Sequence, residues 1–247
     1  MYHFFVRPEQ IGEKEIFIEG ADVNHIRNVL RMHPGEQIRL RTGLDQKDYR
    51  CEITELMDER VTARILWVEE NGVELPSRIV LFQGLPKSDK MELIIQKAVE
   101  LGVYEIVPVA TRRAVVKLDA RREEAKRKRW NAISESAAKQ SRRMRIPQVS
   151  RVMSFPEALE YAGDLDVKLI PYERARDMDK TREILKAVRP GQSVGIFIGP
   201  EGGFEESEVE QALERGAQAI TLGRRILRTE TAGMCVLSAL MFLLEQE

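Results

Sequence analysis

Apolar and polar residues alternate along the first 72 residues, in short runs separated by turn signals such as Pro34-Gly35 and Thr42-Gly43. A two-residue period is typical of strands that bury one face. The runs predict five strands, at residues 4–6, 15–18, 37–41, 49–53 and 60–68. One helical pattern interrupts them at residues 22–32, and Asp22 is suited to cap that helix. The segment therefore predicts a mostly β domain over residues 1–72.

Beyond a linker at residues 71–76, apolar runs of strand length alternate with amphipathic segments of helix length. The strands are predicted at residues 79–83, 104–109, 167–171, 194–198 and 219–222. Clear helical stripes lie at 89–101, which Gly102 closes, and at 205–215, which Gly216 closes. Strands that alternate with helices are typical of a parallel sheet covered on both faces. Residues 73–247 are thus predicted to form an α/β domain.

Two glycine-marked bends follow two successive strands near the end of this domain. The run Gly-Pro-Glu-Gly-Gly at 199–203 ends one strand, and Gly223 ends the next. Open α/β sheets bind ligands beyond the carboxyl ends of their strands. A ligand site at these bends is the first functional prediction. The glycine run alone is a weak signal, because it also suits an ordinary strand-to-helix turn.

The last predicted helix, at residues 232–244, is apolar nearly all round, with Thr229 or Thr231 as its N-cap. One apolar face would be enough to cover the sheet. The second face therefore indicates burial in the core or against another subunit, and we expect a homodimer.

Charge is balanced overall, at a formal net value of −1, but it is unevenly distributed. Residues 112–145 hold thirteen Lys and Arg against four Asp and Glu, whereas residues 1–72 hold ten basic and fourteen acidic residues. Seven of these cations lie on a long helix predicted at 121–141 and three more follow it at 142–145, and the excess over the whole segment favours a polyanionic partner. The polar face of the helix at 22–32 is either an ordinary solvated surface or a phosphate contact.

Several classes of site are excluded. The two cysteines, Cys51 and Cys235, match no metal spacing, and all three histidines (His3, His25 and His33) precede the α/β domain. The glycine run lacks the Lys-Ser/Thr ending of a phosphate-binding P-loop. No segment has the pattern of a signal peptide or a membrane span, so a cytoplasmic protein without a metal is expected.

The two C-terminal stretches carry a specific resemblance. Residues 198–204 (IGPEGGF) together with residues 222–232 (LGRRILRTETA) resemble the paired motifs of SPOUT methyltransferases, and in particular of the RsmE family. Further similar stretches lie at 25–32, 83–87, 90–92, 96–102 and 140–143, so the resemblance covers essentially the whole chain. One departure is Lys139, where the family usually has glutamate.

The resemblance implies a PUA-like β-barrel domain followed by a SPOUT-type α/β domain with a deep trefoil knot. It also implies an obligate homodimer that binds S-adenosyl-L-methionine in a bent shape. The implied reaction is methyl transfer to N3 of a uridine in 16S ribosomal RNA of the small subunit. RNA is therefore the expected partner, rather than DNA or a membrane.

Site residues follow from matching these motifs. Glycines at the bends would let a bent cofactor lie against backbone, and Arg228 is the candidate catalytic residue. The candidate cofactor-binding residues are Ile170, Pro171, Ile198, Gly199, Pro200, Glu201, Gly202, Gly203, Leu222, Gly223, Ile226, Leu227, Arg228, Glu230, Thr231 and Ala232. The candidate RNA-binding residues are His25, Arg27, Asn28, Arg31, Lys87, Arg112, Gln140, Arg142 and Arg143.

Two alternatives to the uridine N3 enzyme stay open on the residues alone. One is a SPOUT methyltransferase that acts on transfer RNA or on a ribose 2′-hydroxyl. The other is a non-catalytic RNA-binding protein of ribosome assembly, which would explain the basic segment but would leave the two glycine bends without a purpose.

Overall fold

The computed structural model describes residues 1–70, 72–116 and 118–245. By its internal contacts the chain divides into two units. Unit 1 comprises Met1–Glu74 and Ala138–Ile146, and unit 2 comprises Leu75–Ala137 and Pro147–Glu247. The sequence predicts a single division after residue 72. The structure differs from it because residues 138–146 pack with the N-terminal unit.

Unit 1 is built on a five-stranded mixed sheet with the strand order β1-β3-β4-β5-β2. The pair β1/β3 is parallel and the other pairs are antiparallel. Alternate residues such as Ile16, Ile18, Ile38 and Leu40 are completely buried, as the two-residue period predicts. All five predicted strands are present, as β1 (Tyr2–Phe5), β2 (Glu15–Glu19), β3 (Gln37–Arg41), β4 (Lys47–Leu56) and β5 (Arg60–Glu70).

The helical segment of unit 1 differs from the prediction. It consists of one α turn, α1 (Ala21–Asn24), followed by a π-helical turn at His25–Val29. Its N-cap residue is Gly20, and no side chain caps it, so the prediction that Asp22 caps an α-helix is wrong. A π turn closes i→i+5 hydrogen bonds and so holds more residues than an α turn. Val29 is consequently rotated off the buried face and is 62% exposed.

Unit 2 contains a parallel sheet with the order β12-β10-β11-β6-β7-β8, and a short strand β9 also pairs with β7. Every recorded pair in this sheet is parallel, which confirms the predicted α/β class. Phe82 and Phe197 stack in its core with ring centroids 4.4 Å apart. The strands are β6 (Arg78–Gly84), β7 (Glu105–Ala110), β8 (Gln148–Val149), β9 (Met153–Ser154), β10 (Val167–Pro171), β11 (Ser193–Ile198) and β12 (Gln218–Ile220).

In the described part of unit 2, six helices follow or connect these strands. They are α2 (Lys90–Glu100), α3 (Ala120–Gln140), α4 (Phe155–Tyr161), α5 (Met178–Ala187), α6 (Glu206–Glu214) and α7 (Thr229–Leu244). Gly102 and Gly216 directly follow the C-cap residues of α2 and α6 with positive φ, as predicted. Helix α7 begins three residues earlier than predicted. Its N-cap is Arg228 rather than either threonine, because the Thr229 hydroxyl is used elsewhere.

Helix α7 has one buried and one exposed apolar face. Val236, Leu237, Leu240 and Leu244 are at most 1% exposed, whereas Phe242 is 83% exposed. The sequence pattern that predicted a second apolar face therefore corresponds to a real surface feature. Within the part of the chain that the structure describes, no helix has both the length and the apolar character to cross a bilayer.

Candidate functional site

Three neighbouring strands of unit 2 end at one edge of the sheet. Strand β10 lies between β12 and β11, with Pro171 level with Ile220 and Leu169 level with Ile196. Because all three run parallel, the residues that follow them meet at the same edge. The structure thus brings together the predicted residues Ile170 and Pro171, the bend at 199–203 and the segment that begins at Leu222.

The bend after β11 is closely packed at two glycines, Gly199 within the bend and Gly84 beside it. A Cβ atom on Gly199 would lie 3.0 Å from backbone atoms of Gly203. A Cβ atom on Gly84, at the end of β6, would lie 2.6 Å from Pro200 Cδ. Gly203 closes the bend by donating its N–H to the Pro200 carbonyl at 2.9 Å. Backbone groups, rather than side chains, therefore form this part of the edge.

A buried polar relay ties α7 to this bend. The Thr229 hydroxyl donates to the Gly199 carbonyl at 2.6 Å and accepts from Gln83 Nε2 at 2.9 Å. Gln83 is fully buried, and its Oε1 has no hydrogen-bond partner among the described residues. Sequence reasoning assigned no role to the Gln83 side chain and considered Thr229 only as an N-cap of α7. Gln83 could have been noticed in the sequence, because a polar amide at the end of the otherwise apolar run of β6 must find a hydrogen-bond partner if it is buried.

One lysine joins two of the predicted carboxylates. Lys90 Nζ lies 3.0 Å from Glu201 Oε1 and 3.6 Å from Glu230 Oε2. The hydrogen bond to Glu201 raises the pKa of Lys90. Burial alone would raise the pKa of Glu201, but hydrogen bonds from Lys90 and from backbone amides outweigh burial and lower it. Sequence reasoning also missed Lys90. Glu230 Oε2 is buried without a hydrogen-bond partner in the described parts of the chain.

The segment after β12 presents a mixed surface. Gly223 has a φ of 99°, which favours glycine. Leu222, Leu227 and Ala232 are half-buried, and Arg228 and Thr231 are exposed. Ile226 is 91% exposed, so its side chain packs against nothing here.

Comparisons with known proteins place this geometry in a family. A model described as an RNA methyltransferase domain matches residues 73–241, and one described as an RNA methyltransferase PUA domain matches residues 18–66. The chain is 39% identical to ribosomal RNA small subunit methyltransferase E of Bacillus subtilis, over 98% of this chain and 96% of that protein. It is 34% identical to the protein of that name from Mesomycoplasma hyopneumoniae, over 96% and 98% of the two chains.

The chain belongs to the RsmE family of RNA methyltransferases. A crystal structure of a ribosomal RNA small subunit methyltransferase E from Neisseria gonorrhoeae bound to S-adenosyl methionine is similar to it, with a TM-score of 0.86 and 36% identity. That similarity covers 98% of both chains. The predicted recognition and the predicted fold class, an α/β domain preceded by a PUA-like domain, are thereby confirmed.

In this RsmE-family chain, the candidate RNA residues of the first helical segment remain at the surface of unit 1. Arg27 forms an ion pair with Asp58 at 2.8 Å, and Asn28 donates to Asn24 at 2.7 Å. His25 and Arg31 are exposed. Arg27 and Asn28 are thus already engaged with protein groups.

The candidates at the end of α3 separate into two kinds. Gln140 and Arg142 are exposed, which leaves them accessible to a partner. The Arg143 side chain is only 5% exposed, and its guanidinium is bound by Glu74, which also accepts the amides of Met144 and Arg145. The structure therefore contradicts Arg143 as a surface contact for RNA. Its position is explained by internal charge pairing in unit 1.

In unit 2, the two basic candidates lie beside the glycine bend. The backbone N–H of Lys87 donates to Glu201 at 3.1 Å, and the Lys87 residue is exposed. Arg112 pairs with Glu205 at 3.2 Å, and the adjacent Arg113 donates to the Gly202 carbonyl at 3.0 Å. Among the described residues there is no cluster of three or more His, Cys, Asp or Glu suited to a metal ion.

Proposed function

We propose that this protein transfers a methyl group from S-adenosyl-L-methionine to N3 of a uridine in the 16S ribosomal RNA of the small subunit. The observation that carries the proposal is the glycine bend at 199–203, held beside the segment at 222–232 at one sheet edge. It is supported by full-length relatives named ribosomal RNA small subunit methyltransferase E.

The residues at this edge suit such a cofactor. A Cβ atom on Gly203 would meet nothing within 4 Å, so the backbone there is open to a flat ligand. Leu222 and Leu227 are half-buried and offer apolar surface in the neighbouring segment. The carboxylates of Glu201 and Glu230, which Lys90 holds together, are acceptors that suit ribose hydroxyls or an amino group. The cofactor would supply an activated methyl group on a sulfonium. The protein's part is to hold both reactants in line.

Alkylation at N3 of uridine requires loss of the imide proton, because the protonated nitrogen has no free lone pair in the ring plane. The site must therefore stabilise a negative charge spread over O2 and O4 of the base. Arg228 is the proposed stabilising residue. It is exposed at the N-terminal end of α7, where the helix dipole also favours negative charge.

We further propose that the enzyme is a homodimer and that unit 2 contains a trefoil knot, as the resemblance of the sequence to the RsmE family implies. We also propose that it works in the cytoplasm, where ribosomal subunits are assembled. The exposed apolar face of α7, with Phe242 and Leu243, supports a self-association surface. The exposed Gln140 and Arg142 of unit 1 and Lys87 of unit 2 support contacts with RNA.

The proposal is tested with small ribosomal subunits from a strain that lacks the enzyme. We expect the purified protein and S-adenosyl-L-methionine to add one methyl group at uridine N3, located by nucleoside mass spectrometry. Arg228→Ala should lower the single-turnover rate on the order of a hundredfold, as removal of an anion-stabilising donor does in other enzymes. Arg224→Ala, in the same exposed segment, should stay close to the wild-type rate.

A methyl group found on transfer RNA or on a ribose hydroxyl would replace the uridine assignment. If calorimetry detected no binding of S-adenosyl-L-methionine, the non-catalytic RNA-binding alternative would stand instead. An Arg228→Ala rate within a few-fold of wild type would remove Arg228 from the mechanism and leave the rest intact.

A further inference from the structure

Unit 1 contains a cavity of about 370 Å³, a volume in the usual range for small-ligand sites. All of its lining residues belong to unit 1. Its lining residues are Met1, His3, Arg39, Arg41, Asp48, Val73, Arg142 and Met144. Strands β1, β3 and β4 supply its floor, and residues from 138–146 complete it.

Three buried polar atoms on the lining have no hydrogen-bond partner within the described residues. They are Arg41 Nε, Asp48 Oδ1 and His3 Nδ1. Arg41 is 5% exposed and Asp48 is 2% exposed. Buried polar atoms without partners are rare and costly in folded proteins, and three of them around one cavity point to a ligand that completes them.

The geometry of the first two side chains is fixed by their other contacts. Asp48 Oδ2 accepts from Arg41 Nη2 at 2.6 Å and from Arg39 Nη1 at 2.8 Å. Arg41 Nη1 donates to the carbonyls of Arg142 and Arg143. Each side chain thus has one polar atom left over, a donor on Arg41 and an acceptor on Asp48. A complementary ligand must present an acceptor and a donor close together.

The remaining lining narrows the class of ligand. Met144, Met1 and Val73 offer apolar and sulfur contacts that suit the face of a flat ring. Arg142 adds an exposed positive charge, which suits a ligand joined to phosphate, whereas the charge of Arg39 is already compensated by Asp48 and Glu69. A simple anion fits less well, because it would face the unpaired carboxylate oxygen of Asp48. A nucleobase has adjacent donor and acceptor atoms on its edge, flat apolar faces and a phosphate chain.

We propose that this cavity of unit 1 binds one unstacked base of the RNA substrate, with the base edge on Arg41 Nε and Asp48 Oδ1. This inference rests on the proposed function, because it takes the substrate of the enzyme to be RNA. Binding one extruded base would fix the position of the RNA strand along the protein. The residues that bind this base lie in unit 1, whereas the residues proposed for methyl transfer lie in unit 2. Single-stranded bases are the part of RNA that proteins read in this way.

Methionine methyl groups provide separate reporters for the two sites. The side chain of Met144 lines the cavity and is 1% exposed. Met178 Cε lies 3.8 Å from the position of a Cβ atom on Gly223, beside the proposed cofactor segment. The experiment records the ¹³C-methyl signals of methionine in the full-length protein. Uridine, cytidine, adenosine, guanosine, short single-stranded RNA and the same RNA without bases are added in turn, and S-adenosyl-L-methionine is added separately.

We expect the Met144 signal to shift saturably with at least one nucleoside and with RNA, but not with the baseless chain. Val73→Trp should fill the cavity opening from a half-exposed position and weaken this binding about tenfold or more. Val68→Trp is the matched control, because Val68 is also half-exposed in unit 1 but does not line the cavity. Val73→Trp should likewise raise KM for the RNA substrate while kcat is retained.

If the Met144 signal responds to none of these additions, the cavity holds only water and the inference is overturned. A response to free nucleosides but not to RNA would show that the cavity does not bind a base of an RNA strand, and it would also overturn the inference. A silent Met178 signal with S-adenosyl-L-methionine, together with no methyl transfer, would instead contradict the proposed function. The two failures are therefore distinguishable in one set of spectra.

Discussion

At the residue scale, the stability of the proposed site depends on a hydroxyl that is hidden between two elements. Thr229→Val would leave the Gly199 carbonyl and the Gln83 amide without the partner that they share. An unsatisfied buried polar group costs about 1–3 kcal/mol, so we expect unit 2 to lose about that much stability. Urea unfolding followed by circular dichroism measures the loss. Thr231→Val, an exposed change in the same helical turn, is the control, and an equal loss there would contradict the prediction.

His3 provides a prediction for pH. Burial, and next the charge of Arg41, lower the pKa of His3 from 6.5 to about 4. Between these values the unfolded chain binds a proton that the folded chain does not. The free energy of unfolding should therefore fall as the pH drops from 6.5 towards about 4. His3→Gln removes this contribution and should flatten the dependence over that window.

The control for this prediction is His33→Gln, because His33 is exposed in the same unit. Unfolding by urea is measured at several pH values for the three proteins. A slope in His3→Gln as steep as in the wild-type protein would show that other groups set the acid dependence of unit 1.

Individual residues also show where sequence reasoning reaches its limit. The glycines of the bends and Arg228 could be proposed because they lie within contiguous motifs. Gln83 and Lys90 lie far from their partners in sequence, as Arg41 does from the carbonyls of Arg142 and Arg143, and only the folded chain shows these contacts. The prediction that Arg143 contacts RNA was wrong for the same reason, because its partner Glu74 is 69 residues away. A run of cations does not reveal which of them are paired inside.

At the element scale, the strands were easier to predict than the helix boundaries. A strand buried on both faces, such as β6 or β11, stands out as a short apolar run whatever it pairs with. The strand order is not visible in that pattern. The short elements β8, β9 and α4 were missed because two-residue strands and a seven-residue helix carry too few residues for a period to show.

The contact between β6 and the glycine bend makes an element-scale prediction. Gly84→Ala would place a methyl group 2.6 Å from Pro200 Cδ and 2.7 Å from its nitrogen, so the bend must move. We expect lower stability and at least tenfold weaker binding of S-adenosyl-L-methionine, because the bend is displaced from α7. Isothermal titration calorimetry measures the binding.

Gly233→Ala is the matched control for that change. Gly233 lies inside α7, and a Cβ atom there would meet its nearest atoms at 3.8 Å, an ordinary contact distance. Replacing glycine by alanine within a helix should stabilise it by up to about 1 kcal/mol. If Gly84→Ala bound the cofactor as Gly233→Ala does, the bend would not be the cofactor wall that we propose.

At the scale of the whole molecule, the exposed face of α7 should set the oligomeric state. Phe242 is 83% exposed and Leu243 is 45% exposed, a costly arrangement for a lone chain in water. Phe242→Glu should therefore raise the dimer dissociation constant at least tenfold, measured by sedimentation equilibrium. Leu213→Glu changes an apolar residue of α6 that is 44% exposed, and it should leave the dimer intact. A wild-type monomer would contradict the dimer proposal outright.

The dependence of RNA affinity on salt is a second property of the whole molecule, and the ion pairs indicate which cations should contribute to it. The basic excess counted over residues 112–145 is partly neutralised, since Arg127 and Lys128 share Glu124 and Arg129 pairs with Glu92. Arg121 is exposed, and no ion pair to it is seen among the described residues. A cation that is already paired releases fewer counterions from RNA than one that is not, because its charge is compensated before the RNA arrives.

We therefore expect RNA affinity to fall steeply with salt, and Arg121→Gln to reduce the slope of log affinity against log salt by about 0.7 if Arg121 neutralises one phosphate. Arg127→Gln should reduce the slope by less, because the charge of Arg127 is already compensated by Glu124. Filter binding with small-subunit RNA between low and physiological salt measures both slopes. Equal effects of the two variants would mean that the ion pairs open on binding. A flat dependence in the wild-type protein would mean that α3 does not contact the RNA backbone.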